Sequence, residues 1–169
     1  MERQINRILG WITAAEIAVI VISFIAMAAL LLADIVGREI LRQGLFGASS
    51  YALYFLILSA MLSFDVAVAR GVHLRPTAFD GLAPQSWDPV LQRLGHLLSA
   101  AIAVLVVWGA WIFIAETRFF NETNPTIRLP LWPMQTPLVI GFGLSGLRHL
   151  VFAAFPDLAP RKSATEAEA

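Results

Sequence analysis

Cysteine is absent from this 169-residue chain, and charge is scarce: only 14% of its residues are Asp, Glu, Lys or Arg. The first absence excludes disulfides, thiolate metal sites and a cysteine nucleophile, and leaves the redox compartment open. Acidic and basic residues cancel to a net charge of zero, so no basic surface for nucleic acid is expected. Internal repeats and low-complexity tracts are also missing. What is present is apolar: 58% of residues are hydrophobic and the mean hydropathy is +0.72.

Four long stretches carry no charge at all: Ile17–Ala33, Ala48–Phe64, Leu97–Ala115 and Leu129–Leu147. A helix rises about 1.5 Å per residue, so about 20 apolar residues cross the hydrocarbon core of a bilayer. A soluble domain of this size cannot hide four such segments, because a surface helix needs a polar face. The expected fold is an all-α integral membrane domain spanning 1–169, with helices near 11–42, 48–70, 88–118 and 136–155 and a flexible cytoplasmic tail at 156–169. Arg3 and Arg7 precede the first apolar run as in a signal peptide, but Gly10–Ala33 exceeds a signal h-region and reads as a retained helix.

Lys and Arg near helix ends set orientation. With the N-terminus in the cytoplasm, the inner side holds Arg3, Arg7, Arg70, Arg75, Arg93, Arg161 and Lys162, against Arg38, Arg42, Arg118 and Arg128 outside. That excess predicts both termini inside (N-in/C-in). Gly44 reads as the left-handed stop of the first helix, and Thr136-Pro137 as an N-cap with proline at the first helical position. Between helices two and three, Arg70–His96 reads as a cytoplasmic interfacial segment, with Ser86 as a helix N-cap and Arg70, Arg75 and Arg93 available to anionic lipids.

Several motifs reduce to packing or chance. Gly141-Phe-Gly143-Leu-Ser-Gly146 matches a dinucleotide fingerprint but lacks the strand and βαβ context that would present a phosphate. Gly141 with Ser145 gives small-xxx-small spacing for close helix contact, and Gly109 with Ala110 gives small contact points on helix three. His96 reads as a residue of the membrane edge and His149 as one well inside helix four, about 10 Å apart along the membrane normal. That separation argues against a haem between them and for interfacial hydrogen bonding. Asn121-Glu-Thr123 fits a glycosylation acceptor and is discounted. No catalytic group, cofactor or metal site is expected.

Glu16, Asp65 and Arg148 are different, because an ionised side chain in the bilayer costs roughly 2.5–3.5 kcal/mol on insertion scales. They read as structural intramembrane charges, with a proton or substrate relay as the alternative. Asp65 lies about 22 Å down helix two and Arg148 about 18 Å down helix four, so the two depths match. Glu16 is the competing partner for Arg148.

The segment Asp34–Leu82 resembles the small permease subunit of tripartite ATP-independent periplasmic (TRAP) transporters, the DctQ family. The resemblance rests on Asp34-Ile-Val-Gly-Arg38 past helix one, Ala67-Val-Ala-Arg70-Gly-Val-His73-Leu-Arg75 after helix two, and Leu82-Ala-Pro84. Ile127-Arg-Leu-Pro130-Leu-Trp132 and Gly141-Phe142 extend it to helix four, while Tyr51-Ala52 and Thr77 depart from the family pattern. Arg38, Arg70 and His73 are the family-like positions.

The resemblance implies a multi-pass subunit of the bacterial cytoplasmic (inner) membrane, and not an enzyme. Its expected partners are a large multi-helix permease, membrane lipids and, through the assembled complex, a periplasmic substrate-binding protein. The system as a whole would perform sodium-coupled uptake of an organic acid, with this chain as scaffold. Two rivals remain at this point: a dimeric four-helix exporter with Glu16 as coupling acid, and a cytochrome subunit.

Overall fold

The computed structural model describes residues 2–71 and 88–160. Four α-helices account for most of them: α1 Glu2–Leu41, α2 Ala48–Ala69, α3 Asp88–Phe119 and α4 Trp132–Ala154, followed by a 3₁₀ turn at Pro156–Leu158. All four are long and apolar enough to cross a membrane. Helices suit that setting because each satisfies its own backbone hydrogen bonds where no water is available. The expected interfacial segment falls mostly on residues 72–87, outside the described residues, as do His73 and the tail from residue 161.

Helix α1 packs on α2, α2 on α4, and α4 on α3. Two antiparallel hairpins thus meet through α2 and α4, which run in the same direction. The seam of α3 is a near-heptad of mostly small residues: Ala100, Ala103, Ala110 and Thr117 are buried, with the larger Ile114 among them. Small side chains matter there, because a Cβ placed on Gly146 of α4 would stand 3.1 Å from the Ala103 methyl. Between α2 and α4 the approach is tighter still. A Cβ on Gly141 would run into the Met61 backbone carbonyl, so only glycine fits. Beside it, Phe64 and Phe142 stack with ring centroids 4.7 Å apart.

Helix boundaries differ from expectation in three places, each with a local cause. Helix α1 starts at Glu2 rather than near residue 11, because half-buried Ile5, Leu9 and Ile12 continue its inward stripe. It stops at Leu41, and the left-handed residue is Arg42 (φ 55°), not Gly44. Gly44 is small for another reason: a Cβ there would lie 2.7 Å from Asp34 Oδ1 and 2.9 Å from Arg38 Nε.

Helix α4 starts at Trp132, with Pro133 in its first turn, so Thr136-Pro137 lies inside the helix. Pro137 has no N–H to give the Pro133 carbonyl, and the Thr136 hydroxyl donates to that oxygen instead at 2.7 Å. The helix therefore continues through a proline.

The glycosylation-like triplet also has a structural role. Asn121 ends α3 in the left-handed conformation (φ 49°), Glu122 N–H bonds the Thr117 carbonyl and Asn121 N–H the Arg118 carbonyl. That is a Schellman cap, and asparagine is among the few non-glycine residues that tolerate it. The following loop closes on an isolated bridge between Thr123 and Pro130, and Ile127 presses on Gly47 at the start of α2.

Candidate functional site

Polar side chains in these helices turn inward because lipid gives them no partner, and the largest convergence is at Arg148. Arg148, on α4, is 3% exposed, and its guanidinium is held from two other helices, α1 and α2. Nε donates to Asp65 Oδ2 of α2 at 2.7 Å, and Nη2 donates to Glu16 Oε2 of α1 at 2.7 Å. Nη1 donates to Thr13 Oγ1 of α1 at 3.0 Å, while that hydroxyl donates to the Leu9 carbonyl. Asp65 is 0% exposed and Glu16 5%.

The sequence treats Asp65 and Glu16 as competitors for Arg148; the structure seats both. A planar guanidinium offers donors along more than one edge, which a comparison of depths does not register. Thr13 is absent from the sequence reading, although it lies three residues before Glu16 and hence on the same helical face.

A second cluster closes the α1–α2 turn. Asp34 is buried, and its Oδ1 accepts the Leu45 N–H at 2.7 Å. Its Oδ2 takes Arg38 Nε at 3.0 Å and Nη2 at 2.8 Å, with the Arg38 side chain itself largely exposed. The family-like Arg38 thus orients a carboxylate that fixes the chain reversal. Arg70 caps α2 with its backbone and leaves Gly71 in the left-handed conformation (φ 70°), against Pro160.

A third cluster is a correction. His96 and His149 lie with Nδ1 atoms 3.1 Å apart, next to Phe152, instead of at separate depths along the normal. The misplacement comes from counting depth along charge-free runs. Measured from the helix ends, His149 is five residues from the end of α4 and His96 eight from the start of α3. At a rise of about 1.5 Å per residue the two positions differ by about 4.5 Å in depth instead of about 10 Å, which two imidazole side chains can bridge.

At the opposite end, Gln135 Nε2 donates to the buried Thr117 hydroxyl at 3.0 Å, and Arg118 stacks over Trp132 at 5.1 Å. Ser145 is buried beside Gly141 in the α4 seam, whereas Gly109 is exposed with nothing near its Cβ position. Among the described residues no group of three or more His, Cys, Asp or Glu is placed to hold a metal ion.

The four apolar helices and the Asp34–Arg38 reversal fit a family comparison that covers residues 27–154, the DctQ component of tripartite ATP-independent periplasmic transporters. The chain belongs to the DctQ family. A curated relative is 19% identical over 150 residues, covering 89% of this chain and 77% of the relative: the ectoine TRAP transporter small permease protein TeaB of Halomonas elongata. As a DctQ component the protein is a TRAP small permease, which displaces the exporter reading of Glu16. Arg38, Arg70 and the Gly141 contact all fall within the matched region, as do Asp65 and Arg148. Thr13 and Glu16 lie before it.

Proposed function

We propose that this DctQ component is the scaffold of a TRAP transporter: it braces the large permease in the bacterial cytoplasmic membrane while that partner moves the solute. The observation that carries the reading is the Arg148 cluster. One guanidinium ties α1, α2 and α4 together with all three of its nitrogens bonded to protein groups, which suits a rigid body better than a moving solute gate. Around this locked interior the helices expose large apolar side chains such as Phe24, Leu32, Leu105, Trp108 and Trp111, a surface for lipid and a partner's helices.

In this proposal both termini face the cytoplasm. Arg70 and Arg93 then meet the anionic inner leaflet, while Arg118 and Trp132 anchor the periplasmic interface. The transported solute is an organic acid, captured by a periplasmic binding protein and driven inward by sodium. Ectoine belongs to the printed name of the Halomonas relative, so uptake panels for this system include it beside organic acids.

The test is co-expression with the large permease. The pair is expected to co-purify, and sodium-dependent uptake by cells is expected to require both chains. Uptake by this chain reconstituted alone would refute the scaffold role. Orientation is tested separately on the cysteine-free background: Glu122→Cys should react with an impermeant thiol reagent applied outside, and Gln4→Cys only after permeabilisation.

A further inference from the structure

The Arg148 cluster carries an imbalance of charge that scaffolding does not use. One guanidinium faces two carboxylates, and each carboxylate gives it a single oxygen. The other oxygen of each, Glu16 Oε1 and Asp65 Oδ1, is buried and has no hydrogen-bond partner among the described residues. Ionised carboxyl oxygens only accept, so neither can satisfy the other.

Geometry brings these two acids together. Nε and Nη2 point along one edge of the planar guanidinium, the edge that commonly takes both oxygens of a single carboxylate. Here the two oxygens come from different residues, Asp65 on Nε and Glu16 on Nη2. The groups bonded to this guanidinium are Glu16 and uncharged Thr13 from α1 and Asp65 from α2. His149, next to Arg148 on α4, meets His96 of α3 instead.

We propose that Glu16 and Asp65 hold one proton between them, which makes Glu16–Arg148–Asp65 a neutral, single-proton site. The protonated carboxyl donates and the ionised one accepts, so one proton removes the surplus negative charge and gives the orphaned oxygens a partner. Carboxyl pairs that share one buried site hold a proton in this way in other proteins. A crevice of about 340 Å³ at the amino-terminal end of the bundle, lined by Asn6, Gly10, Thr13, Ala69 and Phe152, reaches Arg148. Water there is the donor and acceptor of the proton: hydronium delivers it, water takes it back, and no other bond changes.

Infrared spectroscopy of the full-length protein in lipid at neutral pH tests this directly. The expected result is a protonated-carboxyl C=O band that shifts in heavy water and on isotopic labelling of Glu or Asp carboxyls. Glu16→Gln and Asp65→Asn should each abolish it, since either leaves Arg148 with one carboxylate and no surplus charge. The wild-type spectrum decides even where a variant folds poorly. Absence of the band at neutral pH overturns the proposal, as does a band that survives in both variants. A sodium-dependent change in the carboxylate region without an acid band also overturns it, by making a metal cation the neutralising ion.

Discussion

Replacing Arg148 by leucine removes three hydrogen bonds and leaves two carboxyl groups buried without a counter-charge. Breaking a buried pair by deleting one partner costs about 3–5 kcal/mol. The insertion penalty of roughly 2.5–3.5 kcal/mol for an ionised side chain describes the same desolvation, so the two figures do not add. A stranded carboxyl can also take up a proton, which caps its penalty. The expected loss for Arg148→Leu is therefore about 3–5 kcal/mol, or roughly a 150- to 4,000-fold fall in the folded-to-unfolded ratio.

Denaturant unfolding in mild detergent measures that loss, and the yield of complex with the permease reports its consequence. The triple variant Arg148→Leu/Glu16→Gln/Asp65→Asn should recover much of the stability, because no charge is left unpaired. Arg148→Lys should fall between, since a point-like ammonium cannot span Asp65, Glu16 and Thr13 together. Arg148→Leu within about 1 kcal/mol of wild type would refute the reasoning, given the cost that burial of unpaired charge carries. A triple variant no more stable than the single one would refute it equally.

Gly141→Leu should separate α2 from α4 at Met61 and cost about 1–3 kcal/mol by overpacking, seen as a lowered Tm, whereas Gly109→Ala should cost nothing in the same assay. Asp34→Ala should free the Leu45 N–H and release Arg38 at a cost of about 1–3 kcal/mol; hydrogen exchange at the Leu45 amide should accelerate, and Asp34→Asn should retain part of the protection. Asn121→Val should cost about 1–2 kcal/mol because a β-branched residue resists the left-handed cap of α3, while Asn121→Gly should be close to neutral in thermal unfolding.

Four spans were legible because charge-free runs of that length have one physical use. The Asp65–Arg148 depth match was legible because two helices running the same way share one depth scale. What depth alone does not carry is rotation about each helix axis, and the missed contacts turn on it. Gly109 and Ala110 are neighbours in sequence, yet Ala110 is buried in the α4 seam and Gly109 faces outward. Thr136-Pro137 has the composition of a helix start, but the start was already supplied by Trp132-Pro133, and a hydroxyl made the second proline tolerable inside the helix.

Rotation was nevertheless written in α1, in its polar residues rather than its apolar ones. A soluble helix reveals its buried face through its hydrophobic stripe, but α1 is apolar nearly all round, and a stripe that covers the whole circumference points nowhere. Lipid reverses the signal, because the residues that need protein partners are the polar ones. At about 100° per residue, Glu16, Ser23 and Asp34 project within about 20° of one another, and all three are buried. Thr13, about 60° away on the same side, completes the face that meets Arg148. A glutamate, a serine and an aspartate spread along the helix thus define the side of α1 that faces α2 and α4, and they place Glu16 beside Asp65 rather than in competition with it.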